Sequence, residues 1–166
     1  MQIKVLDKEL YTLDELLPKT IGSAGIDLKL VRDTVSYSDL SKDKQLHDLV
    51  GTGIAVAIPE GFVGLLAPRS SSGHKRGFKL GNTLGVIDSD YRGEIKLSIC
   101  LNRMNAFKRG ETVAQLFVVP VFDWAQASVV EEFSLTTERG DGGFGHTDKA
   151  LRSLIHKAFG LPSKTQ

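Results

Sequence analysis

Glu94-Ile95-Lys96-Leu97-Ser98-Ile99, continuing through Cys100 to Leu101, alternates polar and apolar side chains. Successive side chains of an extended segment point to opposite faces, so this stretch reads as a strand with one wet and one buried face. Upstream, Gly53–Pro59 and Gln2–Leu6 alternate in the same way. Downstream, Val113–Val121 and Ala127–Phe133 carry the β-branched and aromatic enrichment of buried strands. Pro59-Glu60-Gly61, Arg92-Gly93 and Lys108-Arg109-Gly110 separate the runs as turns. Many short strands with frequent turns indicate an all-β barrel or sandwich rather than βαβ units. Two places break the pattern. Leu10–Leu17 has room for a turn or two of helix, stopped by Pro18. In the tail, Leu151, Leu154, Ile155, Ala158 and Phe159 form one apolar stripe at helical spacing, with Asp148 as N-cap and Gly160 as the stop. The polar stretch Ser36–Asp48 reads as a surface excursion, partly helical at most.

Composition narrows the function classes. A chain of 166 residues fits one domain, and such a length buries roughly 70% of the extended chain's surface without disulfide or metal staples. With 21 basic and 20 acidic side chains the net charge is +1, which argues against a general nucleic-acid binder. No apolar run reaches the ~18 residues of a membrane span, and MQIKVLDKEL is too charged for a signal peptide. The single cysteine, Cys100, cannot form an intramolecular disulfide, consistent with a reducing, cytoplasmic setting. Of the 17 glycines, seven lie between Gly61 and Gly93 and four between Gly140 and Gly145, so chemistry is sought in those windows.

From Gly61 to Ile87 there is no carboxylate, while Arg69, Lys75, Arg76 and Lys79 are cationic. Pro68-Arg69-Ser70-Ser71-Ser72-Gly73 offers a guanidinium, hydroxyls and accessible amides, which suit a phosphate; a basic surface loop is the plainer alternative. Gly81-Asn82-Thr83-Leu84-Gly85-Val86-Ile87-Asp88-Ser89-Asp90-Tyr91-Arg92-Gly93 reads as a hairpin. Its aspartates either satisfy the turn or supply a base for water. Tyr91 has a face to stack on a sugar or base, and Asn82 the donors and acceptors to read a heterocycle. Glu138-Arg139-Gly140-Asp141-Gly142-Gly143-Phe144-Gly145-His146-Thr147 places four glycines around one Phe, a lid over a planar base or a linker to the tail.

Taken together, these segments resemble the five ordered motifs of the homotrimeric dUTP nucleotidohydrolases (dUTPases). The first is Ser23-Ala24-Gly25-Ile26-Asp27-Leu28, and the second Pro68-Arg69-Ser70-Ser71 continuing as Gly73-His74-Lys75-Arg76-Gly77. The third is Gly81–Gly93, the fourth Arg109-Gly110-Glu111-Thr112-Val113-Ala114-Gln115-Leu116, and the fifth Arg139–Thr147. The resemblance implies a jelly-roll-like β-barrel over 1–137, a glycine-rich arm over 138–148 and a tail helix over 149–166. It implies a homotrimer with active sites shared between subunits, and Mg²⁺-dependent hydrolysis of dUTP to dUMP and pyrophosphate. That reaction keeps uracil out of DNA and supplies dUMP for thymidylate synthesis. On this resemblance Asp88 is the base that activates water toward the α-phosphorus. Asn82, Gly85, Val86, Ile87 and Lys96 read uracil, and Tyr91 packs on the deoxyribose. Arg69, Ser70, Ser71 and Gln115 bind phosphates from a second subunit. Arg139, Phe144, Gly145, His146 and Thr147 close from the third, and Asp27 meets Mg²⁺ through a water or braces the phosphate segment.

The sequence also departs from the family pattern. Ser71 stands where many relatives have Gly, Thr112 where an Arg is common, and Asp148 where a Gly is usual. The tail helix either packs on the trimer, aims its N-terminus at the γ-phosphate, or docks another protein. The related dCTP deaminases share the barrel and the Arg-Ser segment, but they lack the Asp-Ser-Asp-Tyr and Gly-Gly-Phe-Gly signatures. A catalytically idle regulatory trimer is the alternative outside enzymes.

Overall fold

Ile95, Leu97 and Ile99 are fully buried, as the alternation of their strand requires, while Lys96 between them faces out. The computed structural model describes residues 1–35, 47–100, 106–137, 139–141 and 158–159. Seven strands are present: β1 (Gln2–Val5), β2 (Gly25–Lys29), β3 (His47–Ala57), β4 (Phe62–Pro68), β5 (Gly85–Ile87), β6 (Glu94–Cys100) and β7 (Thr112–Pro120). All pairings are antiparallel. They build a three-stranded sheet, β1-β3-β6, and a four-stranded sheet, β2-β7-β4-β5. The protein is therefore mostly β, and no closed barrel forms among the described residues.

Both sheets feed one core. Val50, Ile54, Ile95, Leu97 and Ile99 come from the first sheet, and Ile26, Leu28, Leu66, Val113 and Leu116 from the second. Each such side chain contributes about 1.5–3 kcal/mol by leaving water. Phe78 and Phe107 pack edge to face in the same cluster, 5.2 Å between centroids. Tyr11 ties the sheets together: its buried hydroxyl donates to the Thr52 carbonyl of β3 at 2.9 Å and accepts the Lys29 amide of β2 at 2.7 Å. Burial pushes that phenol up to about 12, against the pull of the Lys29 amide, so it stays protonated as a donor. Pairing of β3 with β6 shifts register between Gly51 and Ala55, and Gly53 in that interval has a φ of +72°. The shift is a bulge, which bends the strand beside Glu94.

Several sequence expectations change. The Gly81–Gly93 stretch is not a ladder-bonded hairpin: β5 pairs with β4 and β6 with β3, so the connection crosses from one sheet to the other. Alternation alone cannot say which neighbour a strand takes. The Pro68–Gly73 segment leads into a short helix, α1 (Ser70–Arg76), rather than an open loop. The Arg69 amide donates to the Val113 carbonyl, the Ser72 hydroxyl donates to the Thr112 carbonyl, and Gly77 closes the helix in a left-handed conformation. Leu10–Leu17 holds a single 3-10 turn, Leu13–Leu16. Ala127–Phe133 forms no strand. Its Val129, Val130 and Phe133 side chains are exposed, because a strand pattern is realised only where a partner and a surface receive it.

The chain divides into two units, Met1–Ala125 and Gln126–Gln166. All seven strands lie in the first. In the second, Gly140 closes a turn on Thr137, and Ala158 and Phe159 are helical. The remainder of the expected tail helix, its Asp148 cap and Gly160 stop, most of the Ser36–Asp48 excursion, and Phe144, Gly145, His146 and Thr147 lie outside the described residues. Among the described residues, no helix is long and apolar enough to cross a membrane.

Candidate active site

The crossing between β5 and β6 encloses a cavity of about 190 Å³ lined by Val86, Ile87, Asp88, Tyr91, Glu94 and Lys96. β5 supplies Val86 and Ile87 from an edge position, where among the described residues its outer side has no strand neighbour. A turn follows in which the Tyr91 amide donates to the Asp88 carbonyl at 3.2 Å. Arg92 pins that turn from outside, its guanidinium donating to the carbonyls of Ser89 at 2.6 Å and Tyr91 at 2.9 Å. The Asp88 carboxylate is exposed at the cavity, where it can accept a proton. Lys96 reaches the same space because the β6 alternation turns it outward. Gly85 packs against Leu66 of β4 instead of lining the cavity. Asn82 is exposed on the turn before β5, where Thr83 adopts a φ of +64°.

A second group gathers on the four-stranded sheet. Asp27 of β2 and Gln115 of β7 are cross-strand partners, and Gln115 is also opposite Ala67 of β4. Two residues beyond Ala67, Arg69 reaches back so that its Nε lies 3.1 Å from the Asp27 carboxylate. Both groups remain partly exposed, so the pair contributes about 1 kcal/mol or less and leaves the guanidinium able to change partner. Ser70 and Ser71 are exposed on the first turn of α1, whereas Ser72 is buried and structural. The far end of α1 is fastened by Arg76, which pairs with Glu111, donates to the Ala106 carbonyl at 2.7 Å and stacks on Phe107. A cation from α1 thus serves Glu111, beside the departure at Thr112.

The predicted residues therefore form two groups: Val86, Ile87, Asp88, Tyr91 and Lys96 line the cavity, and Asp27, Arg69 and Gln115 meet on the four-stranded sheet. Arg139 is exposed in the second unit. Sequence reasoning missed Glu94 and Arg92. Glu94 lay in plain sight as the outward residue two before Lys96 in the same alternation, a signal read only as strand patterning.

Comparison with known proteins identifies relatives along most of the chain. Residues 13–148 match the family model described as dUTPase. The chain is 41% identical over 158 residues to the deoxyuridine 5'-triphosphate nucleotidohydrolase of Idiomarina loihiensis, covering 90% of this chain and 98% of that one. It is 45% identical over 155 residues to the enzyme of the same name from Pseudomonas entomophila, covering 89% and 96%. Among solved structures, the Staphylococcus bacteriophage 80alpha dUTPase with dUPNHPP matches with a TM-score of 0.69 at 27% identity, covering 87% and 96%. A mutant of that phage enzyme with dUpNHpp reaches 0.72 at 26% identity, covering 88% and 96%.

Proposed function

From the premise that this chain belongs to the dUTPase family and is a dUTP diphosphatase, we propose how its residues divide the work. The observation that carries the proposal is the single cavity where Asp88, Tyr91 and Lys96 meet. Uracil and deoxyribose occupy it. Val86, Ile87 and the backbone about Gly85 face the base, with Asn82 and Lys96 contributing polar contacts, and Tyr91 packs on the sugar. A narrow pocket rejects the 5-methyl of thymine for want of room, and cytosine because its amino group reverses a hydrogen bond. Asp88 accepts a proton from a water as that water forms its bond to the α-phosphorus. The bond from that phosphorus to the bridging oxygen breaks, and pyrophosphate leaves with the electron pair.

The phosphates are met by Arg69, Ser70, Ser71 and Gln115 of a second copy. In this reading the protein is a homotrimer whose active sites are shared between subunits, supported by the cavity lining, which among the described residues includes none of Asp27, Arg69 and Gln115. The arm over 138–148 closes from the third copy, with Phe144 over uracil and Arg139, Gly145, His146 and Thr147 at the γ-phosphate. In the same proposal the two sheets of 1–137 are the walls of a jelly-roll-like barrel, and 149–166 is an appended helix. Unpartnered Val129, Val130 and Phe133 support the idea that this region finds its strand partner on a neighbouring copy.

Mg²⁺ fits this site as a companion of the triphosphate. Among the described residues no three His, Cys, Asp or Glu side chains gather to hold an ion. Asp27, already engaged by Arg69, is suited to meeting it only through a water. When bound, the ion offsets charge on the phosphate oxygens. Arg69 and the α1 hydroxyls do the same from the protein side. A cytoplasmic setting belongs to the proposal, in keeping with the lone Cys100.

The test is to supply dUTP, dCTP, dTTP and UTP with Mg²⁺ and separate the products. Pyrophosphate and dUMP from dUTP alone is the expected result, and dUTP formed from dCTP would identify a deaminase instead. Asp88→Asn abolishes turnover while leaving dUTP binding largely intact; full activity in that variant would remove Asp88 from the role of base.

A further inference from the structure

The Tyr91 ring is set by the residue three places on. Its hydroxyl donates to the Glu94 backbone carbonyl at 3.1 Å. The ring also lies so close to Gly93 that a Cβ there would sit 2.3 Å from the phenol oxygen. Wherever the start of β6 goes, the ring follows. Glu94 is itself held by its side chain. Its Oε1 accepts the Gly53 amide at 2.9 Å, inside the interval where β3 and β6 change register. A Cβ on Gly51 would lie 2.2 Å from that same oxygen, so the carboxylate fills the space a side chain at 51 would take. This side-chain bond to a backbone amide fixes a strand's first residue. Glu94 also lines the cavity with Asp88, Tyr91 and Lys96.

We propose that Glu94 is a positioning residue for sugar discrimination. Its carboxylate, keyed into the β3 bulge at Gly51–Gly53, fixes its own carbonyl and through it the Tyr91 ring, at the depth that admits 2'-deoxyribose and leaves no room for a 2'-hydroxyl. The proposal rests on the reading of Tyr91 as the sugar wall. A wall excludes one extra oxygen only if it cannot retreat, so the supporting shell carries the selectivity while Tyr91 makes the contact.

The experiment measures kcat/KM for dUTP and for UTP in the full chain and in Gly51→Ala, Glu94→Ala, Glu94→Gln and Tyr91→Phe/Glu94→Ala variants, each checked for folding by urea denaturation. Gly51 lies outside the catalytic and binding machinery, and its new methyl meets the flexible end of Glu94 first. Gly51→Ala and Glu94→Ala are each expected to lower the dUTP/UTP ratio by about tenfold or more, chiefly through faster UTP turnover. Glu94→Gln still offers an oxygen to the Gly53 amide and holds the ratio within about threefold. Adding Tyr91→Phe to Glu94→Ala costs little further selectivity, because the backbone carbonyl that the hydroxyl grips is by then no longer anchored to the β3 bulge. If Glu94→Ala fails to fold, Gly51→Ala decides. An active parent whose folded Gly51→Ala variant loses both activities equally, or neither, overturns the positioning role alone. A parent that hydrolyses neither nucleotide overturns the assigned reaction, and this proposal with it.

Discussion

Glu15 shows how one side chain can carry a pH dependence far from the active site. It accepts from Lys29 at 2.6 Å and from the Thr12 amide at 3.0 Å, and these bonds bring its carboxyl down to about 2 from an ordinary 4.5. A depressed carboxylate stabilises the fold fully above its unfolded pKa, and that stability is lost as pH falls through the folded value. The window is therefore about pH 4.5 down to about 2. Asp7, held low by Arg109, and Asp33, held low by Lys108, act in the same direction. In Asp48 burial pushes upward, but Arg32 and the Val35 amide outweigh it, so it adds to the trend. Urea midpoints are expected to fall across this window. Glu15→Gln should flatten the profile there, and an unchanged slope would show that Glu15 is not a contributor.

Among the elements, Tyr11 makes a side-chain link between the sheets, its hydroxyl joining β2 to β3. Tyr11→Phe keeps the ring and removes both bonds, leaving the Lys29 amide without that acceptor. The expected cost is about 1–3 kcal/mol in urea unfolding, with kcat for dUTP unchanged; a neutral substitution would mean that water replaces the hydroxyl. Nothing in the sequence around Leu10–Leu17 announced this tie, because a tyrosine beside a short helical run carries no mark of its distant partners. Strand identity was legible where alternation is set by burial, as in β6 and β1. It was less legible in β3, where Thr52 through Val56 are all buried around the bulge and the period of two disappears. Which strands pair could not be read, and so a sheet crossing passed for a hairpin. The motifs named Asp88 and Tyr91 as candidates, with Lys96 on the following strand, and these three line one cavity. Glu94 escaped because its importance lies in a bond to Gly53, a residue 41 positions away.

At the scale of the whole molecule, the proposed sharing of one active site between copies has a direct genetic consequence. If each active site takes its base from one copy and its phosphate arginine from another, two inactive variants can repair each other. Co-expressed Asp88→Asn and Arg69→Ala chains are expected to form mixed assemblies with measurable dUTP turnover, although either variant alone is nearly inactive. A mixture no more active than its parents would place both residues in sites built from a single chain. The exposed Val129, Val130, Phe133 and Leu135 side chains bear on a different matter, the fate of a copy that never finds its neighbours. Exposed large apolar side chains are the features that aggregation and chaperones respond to. If these side chains are covered only on assembly, a copy left alone keeps them exposed, and its lifetime as well as its activity then depends on finding neighbours.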